Sequence, residues 1–241
     1  VRLYPAIDML GGKAVRLVKG DFDAKKVYDE DPFSAARGWV EAGARYLHVV
    51  DLDGAREGAP SNTAHLRRIA SELGVPVQFG GGLRSLAAIE AILQAGAERA
   101  ILGTAAFTDP DLLEQALVRW PGQVLVSVDV RAGRIATAGW TETIDGGREE
   151  LIAGLAERGA VDLVYTNVDR DGMLEGPDFQ EVARVATAVP GTFVYSGGIG
   201  ALADLEGLVD LQASSLAGVI VGKALYERRF TVAEALGVLD G

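Results

Sequence analysis

The sequence predicts a (β/α)8 TIM barrel over residues 1–241, built from two half-barrel repeats at about 1–120 and 121–241, and three observations predict it. The chain has 241 residues, close to the roughly 250 that one such barrel occupies. Short runs of Val, Ile and Leu alternate with stretches of helical period from one end to the other, as strands buried on both faces and their covering helices require. Motifs of the first half return in the same order in the second, at separations of roughly 115 to 120 residues, which marks internal repetition. Pro5-Ala6-Ile7-Asp8 before Gly12-Lys13 is answered by Val126-Ser127-Val128-Asp129 before Gly133-Arg134. Asp51 to Gly58 is answered by Thr166 to Gly176, and Phe79-Gly80-Gly81-Gly82-Leu83 by Tyr195-Ser196-Gly197-Gly198-Ile199. Ile101-Leu102-Gly103-Thr104 is answered by Ile220-Val221-Gly222-Lys223. An open doubly wound sheet competes with the barrel, but it would leave two edges that the repeat does not explain.

The strands expected in order are Leu3–Asp8, Tyr46–Asp51, Val75–Gly80, Arg99–Gly103, Gln123–Asp129, Asp162–Thr166, Thr192–Ser196 and Gly218–Val221. Between them apolar residues recur at helical spacing, as in Leu66/Ile69/Leu73, Ile89/Ile92/Leu93, Leu112/Leu113/Ala116 and Leu202/Leu205/Leu208/Val209. Asn62, Ser85 and Asp109 stand at helix N-caps, where a short side-chain oxygen accepts from the free amides of the first turn. Gly43 and Gly96 close the helices that end at Glu41-Ala42 and Gln94-Ala95. Lys223 to Glu227 is too short for a covering helix and fits the short extra helix found beside a phosphate site in this fold.

Chemistry in such barrels collects at the C-terminal ends of the strands, and every repeated motif falls there. Gly80-Gly81-Gly82 ahead of a helix starting near Ser85 frees backbone N–H groups to converge on an anion. Gly103-Thr104 adds a second turn with a hydroxyl. Ser196-Gly197-Gly198 and Gly222-Lys223 repeat the arrangement. Glycines can serve tight turns alone, but four such turns in paired positions favour two phosphate grips. The expected ligand is therefore a small molecule phosphorylated at both ends.

Asp8 and Asp129 end opposed strands of an eightfold ring, so their side chains approach a ligand from two sides. Parity puts the small Ala6 on the same inward face as Asp8, as a pocket floor. Aspartates and a threonine, with no Lys or Cys nucleophile, suit proton transfer between oxygen and carbon. Aldose–ketose isomerisation is such a reaction and needs one base, one acid and no cofactor. The base is an aspartate near its ordinary pKa of about 3.9; the acid must be held protonated by burial or a neighbouring carboxylate. Taken alone, either aspartate could instead cap a loop or pair with Lys13 or Arg134.

Trp140, in the long loop after the fifth strand, is either a lid that stacks on the substrate or an anchor for its own loop. Arg16 and Lys19 follow the first strand and either reach the substrate or stay solvated. Asp51 ends the second strand and positions loops or binds substrate. His48, three residues earlier, is expected to face the helix layer; Asp53 and Asp169 are expected to organise their loops.

The formal net charge of −11 argues against a nucleic-acid surface, which needs a basic stripe, but not against a small phosphorylated substrate. The chain has no Cys and only 2 His, which excludes disulfides and thiolate sites and leaves no metal-ligand cluster. No apolar run reaches the roughly 20 residues of a membrane span, and no signal peptide precedes the first strand. The expectation is a cytoplasmic, monomeric enzyme that uses no cofactor, metal, nucleic acid or membrane.

In combination, Pro5-Ala6-Ile7-Asp8…Gly12-Lys13-Ala14-Val15-Arg16-Leu17, Gln78-Phe79-Gly80-Gly81-Gly82-Leu83-Arg84, Thr166…Arg170-Asp171-Gly172-Met173-Leu174-Glu175-Gly176 and Ser196-Gly197-Gly198-Ile199 carry a family resemblance. Over essentially the full chain the sequence resembles the phosphoribosylformimino-5-aminoimidazole carboxamide ribotide isomerases of histidine biosynthesis. The resemblance implies an Amadori rearrangement of an N-linked aminoaldose to an aminoketose on a bisphosphorylated substrate. It implies that Asp8 is the base that removes the C2′ proton and that Asp129 is a proton donor. Asp171 competes for the role of the acid that opens the ribose ring, Thr166 is a supporting hydrogen-bond donor, and Arg84 closes a binding motif. The related cyclase of the same pathway shares the repeat and the paired aspartates, but Ala6-Ile7-Asp8-Met9 resembles the isomerase. A dual-substrate isomerase, also acting on phosphoribosylanthranilate, tends to carry Ser-Gly-Gly where this chain has Gly80-Gly81-Gly82. A non-catalytic phosphate-binding barrel would not need aspartates at both strand ends.

Overall fold

Eight parallel strands close into a ring in the computed structural model, which describes residues 1–18, 21–137, 139–144 and 146–241, with the side chains of 17, 18 and 21–24 left aside. In chain order the strands are β1 (Arg2–Leu10), β2 (Lys13–Val18), β3 (Asp21–Asp29), β4 (Leu47–Asp51), β5 (Val77–Gly80) and β6 (Arg99–Leu102). They continue as β7 (Val124–Arg131), β8 (Arg134–Thr137), β9 (Glu142–Ile144), β10 (Leu163–Asn167), β11 (Phe193–Ser196) and β12 (Leu216–Val221). The ring runs β1-β4-β5-β6-β7-β10-β11-β12, and β12 returns to β1 with Tyr4 opposite Ile220. All eight expected strands are present, within a few residues of their expected ends. A closed ring has no free edge, which disposes of the open-sheet alternative.

The sequence reading missed four strands, which form two antiparallel extensions of the ring. β1 runs on into antiparallel β2 and β3, and β7 into β8 and β9. Gly11 and Gly12 turn the first at φ +59° and +73°, and Ala132 and Gly133 turn the second at +49° and +76°. Positive φ at both central residues is the mirror-image turn whose twist matches the strands it joins. The Gly-Gly pair between apolar runs was the available signal.

Among the described residues eight longer helices cover the ring: α1 (Pro32–Glu41), α3 (Thr63–Leu73), α4 (Leu86–Gln94), α6 (Pro110–Arg119), α7 (Arg148–Glu157), α8 (Phe179–Ala188), α9 (Leu202–Asp210) and α11 (Val232–Leu239). The short α2 (Leu52–Glu57), α5 (Ala105–Thr108) and α10 (Lys223–Tyr226) lie on loops after β4, β6 and β12. Ser85 Oγ accepts from Ala88 N at 3.1 Å and Asp109 Oδ1 from Leu112 N at 3.0 Å, as N-caps do. Asn62 stands at the N-cap of α3 but makes no side-chain cap bond, because its amide is drawn to Asp51 and Asp53. Gly43 and Gly96 both take φ +104° just past their helices. Among the described residues no helix is long and apolar enough to cross a membrane.

The core has two parts. A large shell, including Ile7, Leu47, Phe79, Val126, Tyr165 and Phe193, lies between ring and helices. A smaller plug fills the ring itself: Tyr4, Ala6, Ile101, Leu125, Val164, Val194 and Ile220, with Tyr46 beside them. Alternation along each strand assigns neighbours to the two parts. The plug closes the ring below and leaves the C-terminal strand ends open above it.

Candidate active site

A cleft of about 250 Å³ sits on that plug, near the lower end of the usual range for small-molecule sites. Ala6, Asp8, Ser127, Asp129, Val164, Thr166 and Ser196 line it, so the inward parity expected for Ala6 and Asp8 holds, and it holds equally for Ser127 and Asp129. β1 and β7 stand four places apart in the ring of eight, which sets Asp8 and Asp129 on opposite walls.

The two aspartates have different surroundings. Asp8 Oδ2 accepts from Arg16 Nη1 at 2.7 Å, and Arg16 Nη2 reaches the Asp171 carboxylate at 3.2 and 3.3 Å. Arg16 is thus shared between two acids, and the three side chains are 13–14% exposed. Burial pushes the Asp8 carboxyl above the usual carboxylate range, the Arg16 charge pulls it down, and Asp171 pushes it up. Asp129 accepts from Ser127 Oγ at 2.7 Å and from Trp140 Nε1 at 2.8 Å, with Thr166 as a further donor. Its pKa is also raised, chiefly by removal from water; these neutral donors oppose the shift and the Asp171 charge adds to it. One wall therefore holds a carboxylate against a cation, the other a carboxylate among neutral donors.

Arg16 is a cleft residue, not a solvated one. Lys19, the other candidate on that loop, lies outside the described residues. Trp140 takes φ +70°, gives its indole N–H to Asp129, and accepts from Arg131 Nη1 through its carbonyl at 2.8 Å. It lines the cleft and anchors its loop at once.

The expected orientation of β4 is reversed. His48 and Val50 line the cleft, while the fully buried Asp51 turns outward. Asp51 accepts from Gly54 N, Ser61 N, Asn62 N and Asn62 Nδ2 at 2.6–2.8 Å, so it builds loops and caps α2. The two residues do face opposite ways, as their spacing requires, and of the two roles open to Asp51 its bonds are those of loop positioning. Burial and the Arg16 charge hold His48 neutral, with its pKa lowered to about 3, and Gln78 Nε2 lies 2.9 Å from its Nδ1.

The glycine turns occupy opposite ends of the site. Gly80, Gly81, Gly82, Arg84, Gly103 and Thr104 line the cleft on the β5–β6 side. Arg84 is held over Gly58 by a bond from Nη2 to the Ala55 carbonyl at 3.0 Å. On the β11–β12 side, Ser196, Gly197, Gly198, Gly222 and Lys223 line a smaller space of about 20 Å³, walled from the cleft by Arg16 and Asp171. Lys223 Nζ donates to the Gly172 carbonyl at 2.8 Å, across to the loop after β10. Glycine is required here by packing as well: a Cβ at Gly81 would lie 2.2 Å from the Asp51 carbonyl oxygen, and one at Gly197 2.5 Å from that of Asn167. Among the described residues no three His, Asp or Glu side chains are grouped to hold a metal ion.

Residues 2–231 match the family model described as "Histidine biosynthesis protein". A Synechococcus protein is 47% identical over 234 residues, covering 97% of this chain and 91% of its own length. A Gloeothece citriformis protein is 42% identical over 236 residues, 98% of this chain and 92% of its own. A Microcystis aeruginosa protein is 41% identical over 239 residues, 99% and 94% respectively. All three are named 1-(5-phosphoribosyl)-5-((5-phosphoribosylamino)methylideneamino)imidazole-4-carboxamide isomerase.

Proposed function

The chain belongs to the histidine biosynthesis protein family, and from that premise we propose that it isomerises the bisphosphorylated aminoaldose in its relatives' name to the aminoketose. The observation that carries this reading is the pair of aspartates on opposite walls of one cleft, set between two paired glycine turns.

The chemistry needs a proton on the ribose ring oxygen, so that the C1′–O bond breaks and C1′ becomes an iminium carbon. It then needs a base for the C2′ proton, whose bonding electrons form the C1′–C2′ double bond. Ketonisation of the resulting enol adds a proton at C1′ and gives the aminoketose. Asp8 serves as the base, because Arg16 at 2.7 Å favours its ionised form. Asp129 serves as the donor, because neutral partners surround it and removal from water favours its protonated form. Thr166 orients Asp129, and Asp171 holds Arg16 against Asp8. The glycine turns with Arg84, Thr104, Ser196 and Lys223 take the two phosphates, which leaves the ribose between the aspartates.

We also read the barrel as two half-barrels. Gly81 and Gly82 take φ +115° and +75°, and Gly197 and Gly198 take +116° and +86°. Asp53 Oδ2 accepts from Gly11 N at 2.7 Å in one hairpin turn, and Asp169 Oδ2 from Ala132 N at 2.6 Å in the other. The large exposed apolar side chains found among the described residues, Val118 being the most exposed, are scattered singles, which supports a monomer.

The test is turnover of the aminoaldose by the purified protein, with Asp8→Asn in parallel. Product from the wild type and none from D8N, at similar affinity for the substrate, is the expected result. Binding of the aminoketose without isomerisation would move the chain to the cyclase reaction, and a D8N enzyme within a few-fold of wild type would remove Asp8 from the base role.

A further inference from the structure

We propose that Glu181, buried outside the cleft, is a positioning residue that acts through Asn167 to fix the turn setting Asp171 against Arg16 and Asp8. The proposal rests on the reading of Asp8, Arg16 and Asp171 given above. Glu181 is 6% exposed in the first turn of α8, behind the wall formed by β10. Its Oε1 accepts from Arg148 Nη1 at 3.0 Å and from the Tyr165 hydroxyl at 2.5 Å. Its Oε2 accepts from Asn167 Nδ2.

Asn167 ends β10 and starts the turn that carries Asp171. Its Oδ1 accepts from Arg170 N at 3.1 Å, and its carbonyl accepts from Arg170 N at 3.2 Å and Asp171 N at 2.9 Å. A carboxamide has one accepting and one donating end. With Arg170 N–H on one side, the amide keeps its orientation only if position 181 accepts on the other. That requirement explains why a carboxylate is buried here rather than an amide of the same shape.

A glutamine at 181 would keep an oxygen for Arg148 and Tyr165 but present an NH2 group to Asn167. Either two donors then face each other, or the Asn167 amide turns over and its NH2 meets the Arg170 N–H. Both outcomes loosen the Arg170-Asp171 turn, and an unsatisfied buried donor remains in each. Because Asp171 and Asp8 share one guanidinium, slack in the turn reaches Asp8. The charged and titratable groups around Asp8 are Arg16 on β2, Asp171 after β10, Tyr226 on α10 and the neutral His48 on β4.

The test compares E181Q, N167D, the double variant E181Q/N167D and D171N with the wild type, by kcat, KM, pH profile and thermal unfolding. E181Q is expected to lose kcat by about 10- to 100-fold, the scale of a small misplacement in a reacting constellation, with a much smaller change in KM. The low-pH limb of its profile is expected to move down, since Asp171, which raises the Asp8 pKa and competes for Arg16, is no longer held in place. In the double variant the new amide donates to the new carboxylate, whose other oxygen accepts from Arg170 N–H. The polarity is restored, and kcat and the pH limb return to within a few-fold of wild type. If E181Q does not fold, recovery of the double variant over N167D carries the test. A lowered melting temperature with wild-type kcat and pH limb in E181Q, or a double variant no better than either single, overturns the proposal. Full activity in D171N overturns its premise instead; an inactive D171N beside a fully active E181Q overturns the positioning role alone.

Discussion

Arg16→Gln separates two tasks proposed for this side chain, lowering the pKa of Asp8 and shaping the cleft. Arg16 Nη1 lies 2.7 Å from Asp8 Oδ2, and both side chains are 13% exposed. With charge centres about 4 Å apart and an effective dielectric near 20, the attraction is about 4 kcal/mol. One pKa unit corresponds to about 1.4 kcal/mol, so the ceiling on the effect is about 3 units. Water entering beside the shorter amide reduces it, while Asp171, left facing Asp8 without a shared cation, adds to it. The expected rise in the Asp8 pKa is about 1–3 units. A base must be deprotonated to act, so the low-pH limb of kcat/KM moves up by that amount and activity recovers toward high pH. The assay is a kcat/KM profile across about pH 5 to 9 for both proteins. Loss of activity by the same factor at every pH, with the limb unmoved, would refute the argument and leave Arg16 as a substrate-binding group.

Asp129→Asn should remove catalysis by at least about 100-fold, the scale of general acid catalysis. It should also raise stability at neutral pH. The Asp129 pKa is raised in the folded state, so its ionised form opposes folding; that penalty is absent below the ordinary carboxylate pKa and complete once pH exceeds the folded value. The stability gain, followed by thermal unfolding, should therefore fade as pH falls toward 4 or so; a gain independent of pH would contradict it. Trp140→Phe keeps an aromatic ring but removes the donor 2.8 Å from Asp129. Losing a hydrogen bond to a charged group, worth about 1.5–3 kcal/mol, raises the pKa of the acid, so the high-pH limb of kcat moves up. An unmoved limb would show that the bond does not persist during turnover. Gly81→Ala places a methyl 2.2 Å from the Asp51 carbonyl oxygen at φ +115°. Thermal unfolding should register at least about 2 kcal/mol of destabilisation, or roughly 4–8 °C; an unchanged melting temperature would mean that the two loops do not meet.

Much of this site was readable as a pattern. Strand ends, the side on which Asp8 and Asp129 project, and the ring positions that oppose them follow from period-two alternation and a count of eight. The glycine turns were legible for a similar reason, since Gly-Gly after an apolar run ends a strand in a tight turn at the catalytic face. Ser127 was within reach of the alternation argument, being two residues from Asp129, and was overlooked. His48 was expected to face the helices, but the regular pleat of β4 has the other phase: His48 and Val50 point inward and Asp51 outward, where it caps α2. No local pattern distinguishes those two outcomes.

The sequence by itself determined the architecture and which residues stand at its catalytic end. Burial periodicity and turn chemistry are local, and a closed ring of eight units turns local order into a fixed circle of positions. Only the tertiary structure decided the electrical character of those positions. That Arg16 serves Asp8 and Asp171 together, that Trp140 and Ser127 meet on Asp129, and that Glu181 reaches the turn through Asn167 depend on contacts between loops far apart in the chain. Charge and hydrogen-bond energies fall off within a few ångströms, a length that spacing along the sequence does not encode.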